Sequence, residues 1–323
     1  MKRVAYLSAT AGLALTGILF ARQDVRSIAD LLLAAGPALV VAALFHVVPM
    51  IANAYAWQRL LSGTDRPGMC VMTWATWIRE SVNSLLPVAR IGGELVAYRI
   101  VRRHVTQSHS AAASLAADMA ISMLSQAAFA LLGLALLFAI GGSSTAATQL
   151  LAGILSIIAL GAGFVVVQCK GTLSALSGMI NGLLAGRFAA AHVHALAFDC
   201  DLRAVYQRHR DVARCFAWQL AGWVLGSGEI WLVLRLLAPS HGALDALAIE
   251  ALIQAVGSAV FFVPAALGVQ EGAFLVIGAA LGLDAATALA LATARRIRDV
   301  VIFLPGLIAW QWAEMWTPRA TRA

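Results

Sequence analysis

Residues 70–101 read CVMTWATWIRESVNSLLPVARIGGELVAYRIV. The run is apolar enough for a bilayer, yet Pro87, Gly92 and Gly93 break it near its middle. A spanning helix needs about 20 consecutive apolar residues, and neither piece supplies them. Proline removes a backbone donor, and broken backbone persists in a membrane only where protein or a water-filled cavity covers it. The segment therefore reads as a re-entrant helical hairpin. A second stretch, LAIEALIQAVGSAVFFVPAALGVQEGAFLVIGAALGL (247–283), is broken in the same way at Pro264 and Gly268.

The two hairpins share a spacing. Ser81, Pro87 and Glu94 form S-x5-P-x6-E, and Ser258, Pro264 and Glu271 repeat it 177 positions later. The same offset moves 36–57 onto 213–234 and 111–140 onto 288–317, and sets Asp118 opposite Arg295. Outside the hairpins, six segments are long and apolar enough to span: 4–21, 32–57, 111–140, 147–168, 213–238 and 285–312. Lys2 and Arg3 before the first of these also resemble a signal peptide, but no small-residue cleavage site follows, so a membrane helix is expected.

Composition agrees. The chain is 61% hydrophobic and 12% charged, with a mean hydropathy of +0.83. A soluble domain carries about 25% charge, so lipid must solvate much of this surface. The net charge of +7 therefore reads as loop charge that sets topology, and no nucleic-acid partner is expected. Arg59, Arg66, Arg99, Arg102 and Arg103 place both ends of the first hairpin in the cytoplasm. The 169–212 connection, with Lys170, Arg187, Arg203, Arg208 and Arg210, is also cytoplasmic, and its FDCDLRAVYQRHRDVARC stretch (198–215) resembles an interfacial helix. The uncharged 141–149 loop and PSHGALD (239–245), which lacks Lys and Arg, lie outside; Arg319 and Arg322 return the C-terminus to the cytoplasm. Arg22 and Arg26, beside Asp24 and Asp30, fit this scheme less well.

The resulting expectation is an all-α polytopic membrane protein. It has about six transmembrane helices and two re-entrant hairpins in an inverted-topology repeat: 1–140, then 141–323. Substrate sites in such repeats lie near the midplane, where broken helices meet.

Charged residues in these segments are costly, at roughly 2.5–3.5 kcal/mol each at a helix centre, and so point to a polar cavity. They include Glu229, Arg235, Glu250 and Glu314 as well as the candidate site. For binding a headgroup the candidates are Arg79, Arg90, Arg295, Arg296 and Arg298, because guanidinium pairs bidentately with phosphate. Arg90 lies in the break itself. Glu80, Glu94, Asp118, Glu271 and Asp299 are the candidate cavity or charge-coupling carboxylates. Glu94 and Glu271 each open the second arm of a hairpin, where a carboxylate is also a natural helix cap. Pro87, Gly92, Gly93, Pro264 and Gly268 are the hinges. Ser114, Asp118, Ser122, Ser125 and Gln126 share one helix face. The tryptophans fall mostly near helix ends, as an interfacial belt would. Cys70, Cys169, Cys200 and Cys215 show no metal spacing and read as free thiols near the cytoplasmic face. No catalytic residue, metal or cofactor is expected.

WIRESVNSLLPVARIGGELVAYR (77–99), IQAVGSAVFFVPAALGVQEGAFL (253–275) and ARRIRDVVIFLPGLIAWQ (294–311) resemble the hopanoid-biosynthesis-associated HpnL family. That family lies within the lysylphosphatidylglycerol-synthase transmembrane, or flippase-like, superfamily. The resemblance implies an inner-membrane protein of bacteria that handles a lipid, hopanoid or anionic phospholipid. It carries no implication of aminoacyl transfer, because the synthase of the best-known member is a separate soluble domain. Partners compatible with it are the lipid itself, a second copy of the chain and lipid-biosynthesis enzymes. A lipid-pyrophosphate phosphatase would need a Ser/Arg-rich phosphate loop and an E-x3-E pair. Here the break reads PAALGVQEG and Glu250 is followed by Gln254. A transporter is the reading preferred over that enzyme or a non-transporting accessory subunit.

Overall fold

Three apolar runs become helices of membrane-crossing length. Ala38–Leu60, Ser108–Ala139 and His209–Leu237 are 23, 32 and 29 residues long, with mean hydropathies of 1.8, 2.0 and 1.4. At 1.5 Å per residue, each covers the roughly 30 Å hydrocarbon core. The computed structural model describes residues 25–36, 38–61, 66–86, 92–139, 189–259 and 266–316, with the single positions 163, 166, 168 and 263. No strand occurs among them. The expected span 4–21 lies outside the described residues, as does almost all of 147–168.

The helices are α1 Val25–Ala35, α2 Ala38–Phe45, α3 Val47–Leu60, α4 Met69–Leu85, α5 Gly92–Val101, α6 Ser108–Ala139 and α7 Ala189–Gln207. They continue as α8 His209–Leu237, α9 Ala243–Ala259, α10 Val269–Ala280, α11 Ala285–Arg298 and α12 Leu304–Trp316. The expected helix over 32–57 is divided twice. It turns at Gly36, and it is interrupted again at His46. There Pro49 has no N–H for the Phe45 carbonyl, and the His46 N–H tightens onto Ala43 O at 3.1 Å. The expected helix 285–312 contains a π-helical turn, Asp299–Phe303. Pro305 follows it and has no N–H to offer the Val301 carbonyl, a common setting for such a turn.

Helix ends follow the 177-residue offset. The bounds of α6, 108–139, move onto 285–316, which are the outer bounds of α11, the π turn and α12. The start of α5 moves onto the start of α10, and the end of α3 onto the end of α8. The equivalent helices α3 and α8 pack against each other and run antiparallel. Tyr55 meets Trp218 at 5.0 Å between ring centroids, Asn53 abuts Gly222, and Phe45 at the end of α2 abuts Gly228, so positions fall along α2 and α3 as they rise along α8. The first arms of the two breaks are exchanged between halves. α9 lies on α6, and α4 lies on the π turn and α12. The two crossings are held at positions that correspond to within one residue, with Gln126 Nε2 donating to the Gln254 carbonyl at 3.3 Å and Trp77 Nε1 to the Ile302 carbonyl at 2.8 Å.

One apolar core joins α2, α6, α8, α9, α10 and α11 through Leu134, Leu137, Leu234, Ile249, Leu252, Phe274 and Leu291. A second joins α3 to α6 around Trp57, Met72, Val101 and Leu115. The α7 helix docks on α3, α6 and α8 through Leu202 and Val205. Outside these cores, Val41, Leu44, Val48 and Ile51 form an exposed stripe at helical spacing along α2 and α3, which is the face lipid would cover. At the start of α11, Asp284 accepts from the Thr287 N–H at 2.9 Å and from its hydroxyl at 2.6 Å. Partial burial alone would raise this carboxyl, but the Thr287 hydrogen bonds outweigh it and hold it below its ordinary range. A carboxyl lowered by folding stabilises above its unfolded pKa of about 4, and the contribution is lost as pH falls through the folded value. Asp284→Ala is expected to cost about 1 kcal/mol at neutral pH. Thermal unfolding in detergent should show the gap from wild type shrinking toward pH of about 3.

Candidate functional site

In the first half, α4 presents Arg79 to Asp118 of α6 at 2.8 Å and to Glu94 of α5 at 3.7 Å. Asp118 is fully buried and also accepts from Gln219 Nε2 of α8 at 2.7 Å. The Trp57 ring lies 5.5 Å from the Arg79 guanidinium carbon, and its Nε1 donates to Ser114 Oγ at 3.3 Å. Glu94 is placed by a close approach of α5 to α4: a Cβ on Gly93 would strike the Arg79 carbonyl and the Asn83 side chain. The Gly93 N–H instead donates to Asn83 Oδ1 at 2.9 Å, and Asn83 Nδ2 donates to Glu94 Oε1 at 3.3 Å.

In the second half, Glu250 of α9 pairs with Arg295 of α11 at 2.6 Å and accepts from Gln254 at 2.8 Å. Glu271 of α10 pairs with Arg296 at 2.8 Å. Its other oxygen accepts the Gly268 N–H at 2.8 Å, across a turn where Gly268 takes a φ of +77°, a conformation that costs glycine little. Glu271 is thus both helix cap and ion-pair partner. Arg298 pairs with Glu229 of α8 at 3.2 Å and with Asp299 at 2.9 Å, and Arg296 reaches Asp299 at 3.8 Å.

The two arrangements join corresponding elements with opposite sign, although only Asp118 and Arg295 are equivalent by the offset; Arg79 corresponds to Val256 and Glu250 to Thr73. Each joins the first arm beside a break to the long helix of its own half. In the first half the arm carries Arg79 and the long helix Asp118; in the second the arm carries Glu250 and the long helix Arg295, the residue 177 positions after Asp118. His46, at the division between α2 and α3, joins the halves. It lies 3.5 Å from Glu80 of α4 and 3.3 Å from Glu229 of α8.

Four guanidiniums (Arg79, Arg295, Arg296, Arg298) thus face six carboxylates (Glu94, Asp118, Glu229, Glu250, Glu271, Asp299), and His46 faces a seventh, Glu80. Of the arginines expected to meet a headgroup, Arg79, Arg295 and Arg298 are buried against protein carboxylates, while the Arg296 side chain is 24% exposed. Buried pairs add little net stability, because desolvation offsets their attraction, so the cluster is a candidate site and not a stabilising device. Arg90, Pro87 and Pro264 lie outside the described residues. Gly92 opens α5.

His46 and Gln219 were missed by sequence reasoning. Nothing in the chain marks a histidine that sits opposite a carboxylate more than 180 residues away, whereas Glu229 and Glu250 were visible as charges in apolar runs. One expectation is corrected: Trp57 does not belong to a lipid-facing belt but is fully buried, with its indole N–H donating to Ser114. Trp77 and Trp223 likewise donate to the Ile302 carbonyl and Ser125, and Cys215 is buried 4.0 Å from Asp118.

A cavity of about 420 Å³ opens between the outer ends of α4 and α5 and the end of α12, lined by Trp74, Ile100, Arg103, His104, Trp310 and Glu314 among others. The positions equivalent to Trp74 and Trp310 are Ala251 and Gly133. These are closed against each other so tightly that a Cβ on Gly133 would strike the Ala251 side chain. One seam is open and its counterpart shut.

No curated protein and no solved structure matches the chain. The family model described as "Lysylphosphatidylglycerol synthase TM region" matches residues 5–306, which takes in the two breaks and every residue of the network. With three helices of crossing length and this match over nearly its whole extent, the chain is a membrane protein belonging to the lysylphosphatidylglycerol synthase transmembrane-region family.

Proposed function

We propose that the protein is an inner-membrane lipid transporter and not an enzyme, moving a hopanoid or an anionic phospholipid across or within the bilayer. The observation that carries this reading is the buried ion-pair network, set on interrupted helices where two antiparallel equivalents meet. In this reading the broken segments are re-entrant hairpins of an inverted repeat, both termini are cytoplasmic, and the polar headgroup travels along the network while the tails stay in lipid. The open seam beside Trp74 and the shut one beside Gly133 support a carrier that exposes one face at a time. The HpnL resemblance supports a hopanoid link.

The arginines are already paired, so an anionic headgroup must displace a carboxylate to reach one. Glu94→Gln and Glu271→Gln would loosen those pairs while keeping the shape of the side chain. Each is expected to abolish translocation without preventing insertion, as is Arg90→Ala. Purified variants in vesicles with a fluorescent phospholipid, read by dithionite quenching, provide the test. Wild-type rates in all three would sink the transporter reading. Phosphate release from a polyprenyl pyrophosphate would establish an enzyme instead.

A further inference from the structure

His46 sits at the junction of the halves, faced by a charged group from each of three helices packed on it. Glu80 of α4 lies 3.5 Å from Nε2 and Glu229 of α8 lies 3.3 Å from Nδ1. Arg298 of α11 lies nearest Nδ1, to which it donates at 2.8 Å, with Nε2 farther at 3.3 Å, and is itself 2.9 Å from Asp299. The Phe303 ring of the π turn packs edge-on at 5.6 Å. We propose that His46 is a proton-binding site whose protonation shifts the two halves relative to each other, and that lipid movement is coupled to it. The coupling to lipid rests on the function proposed above; the proton site does not.

The argument is one of partners. Nδ1 has both a donor, the Arg298 guanidinium, and an acceptor, the Glu229 carboxylate, within reach. A neutral imidazole with its lone pair on Nδ1 accepts from Arg298 and donates its Nε2–H to Glu80. A protonated imidazole has no lone pair, so it turns Nδ1–H to Glu229 and repels Arg298, which falls back on Asp299. Each state satisfies its polar groups, but with different pairs. The proton is taken from water and returned to water; no other group changes. Glu80 and His46 belong to the first half, Glu229 and Arg298 to the second, so the exchange acts across the junction. Three carboxylates beside one guanidinium give the proton a reason to bind, and an imidazole changes charge within the physiological range.

Cys70 reports on this directly. It is exposed and lines the open seam. In a protein whose other cysteines are replaced by Ser, Cys70 is labelled with a membrane-impermeant maleimide between about pH 5 and pH 8. Thiolate formation raises labelling with pH in any variant, so the readout is the ratio of wild type to His46→Gln. That ratio is expected to change by about threefold or more across the range. A ratio independent of pH overturns the proposal. If His46→Gln yields no folded protein, the wild type decides: a translocation rate unmoved by an imposed pH difference across the vesicle overturns it. Vesicles that move no lipid, with a ratio that does change, would reject the transporter reading and keep the proton site.

Discussion

Arg79→Ala is expected to destabilise the protein by on the order of 3–5 kcal/mol, the range for removing one partner of a buried ion pair. Asp118 is fully buried, and without the guanidinium it keeps Gln219 at 2.7 Å and the weak Cys215 thiol donor at 4.0 Å. A buried carboxylate left with neutral partners either stays charged at high cost or takes up a proton. Size-exclusion and thermal unfolding in detergent should show less folded protein and a clear loss of thermal stability. A companion variant separates structure from function. Arg79→Leu combined with Asp118→Leu removes both charges and fills the space with apolar atoms, a replacement that is often neutral or stabilising. It is expected to restore folding and to lack translocation. An Arg79→Ala protein as stable as wild type would mean that water, not protein, surrounds Asp118.

Reversing the second pair should be more severe. Arg295→Glu places a carboxylate beside Glu250, with both side chains about as buried as the present pair, at 4% and 3% exposure. Two like charges in such a place cannot both remain ionised, and folded protein is expected to be nearly absent by size exclusion. Adding Glu250→Arg recreates the polarity of the first half, with the guanidinium on the arm beside the break and the acid on the long helix. That double variant should recover most of the folded yield. A double variant no better than the single one would show that Arg295 answers to something other than Glu250.

Much of this was legible in the chain because the breaks obey simple backbone chemistry. The S-x5-P-x6-E spacing marks the two interruptions, and the offset it defines carries the end of α3, the start of α5 and both ends of α6 onto the corresponding ends of their equivalents. Glu94, Glu271 and Asp118 stood out because charge in an apolar run needs a reason. The choice of partners was not legible. Glu271 meets Arg296 while its equivalent Glu94 meets Arg79, a difference that depends on which helix faces lie together in three dimensions. The interruption at His46 was hidden for a related reason: Pro49 signals a kink, but only the fold brings Glu80 and Glu229 to the imidazole. Trp57 shows the same limit, since its position near a helix end reads as interfacial until α4 and α6 are seen to close over it.

The opposite signs at positions 118 and 295 have a consequence for energetics. In a carrier built from two identical halves, the form open to one face and the form open to the other would be related by symmetry and equal in free energy. Here Asp118 answers to a guanidinium and Arg295 to a carboxylate, so the halves cannot exchange roles at no cost. The degeneracy is lifted, and one orientation becomes the resting one. A gap of only about 1.4 kcal/mol already sets a tenfold preference between two states. In the carrier proposed above, the sign inversion would work as a built-in bias, deciding which leaflet an idle protein faces.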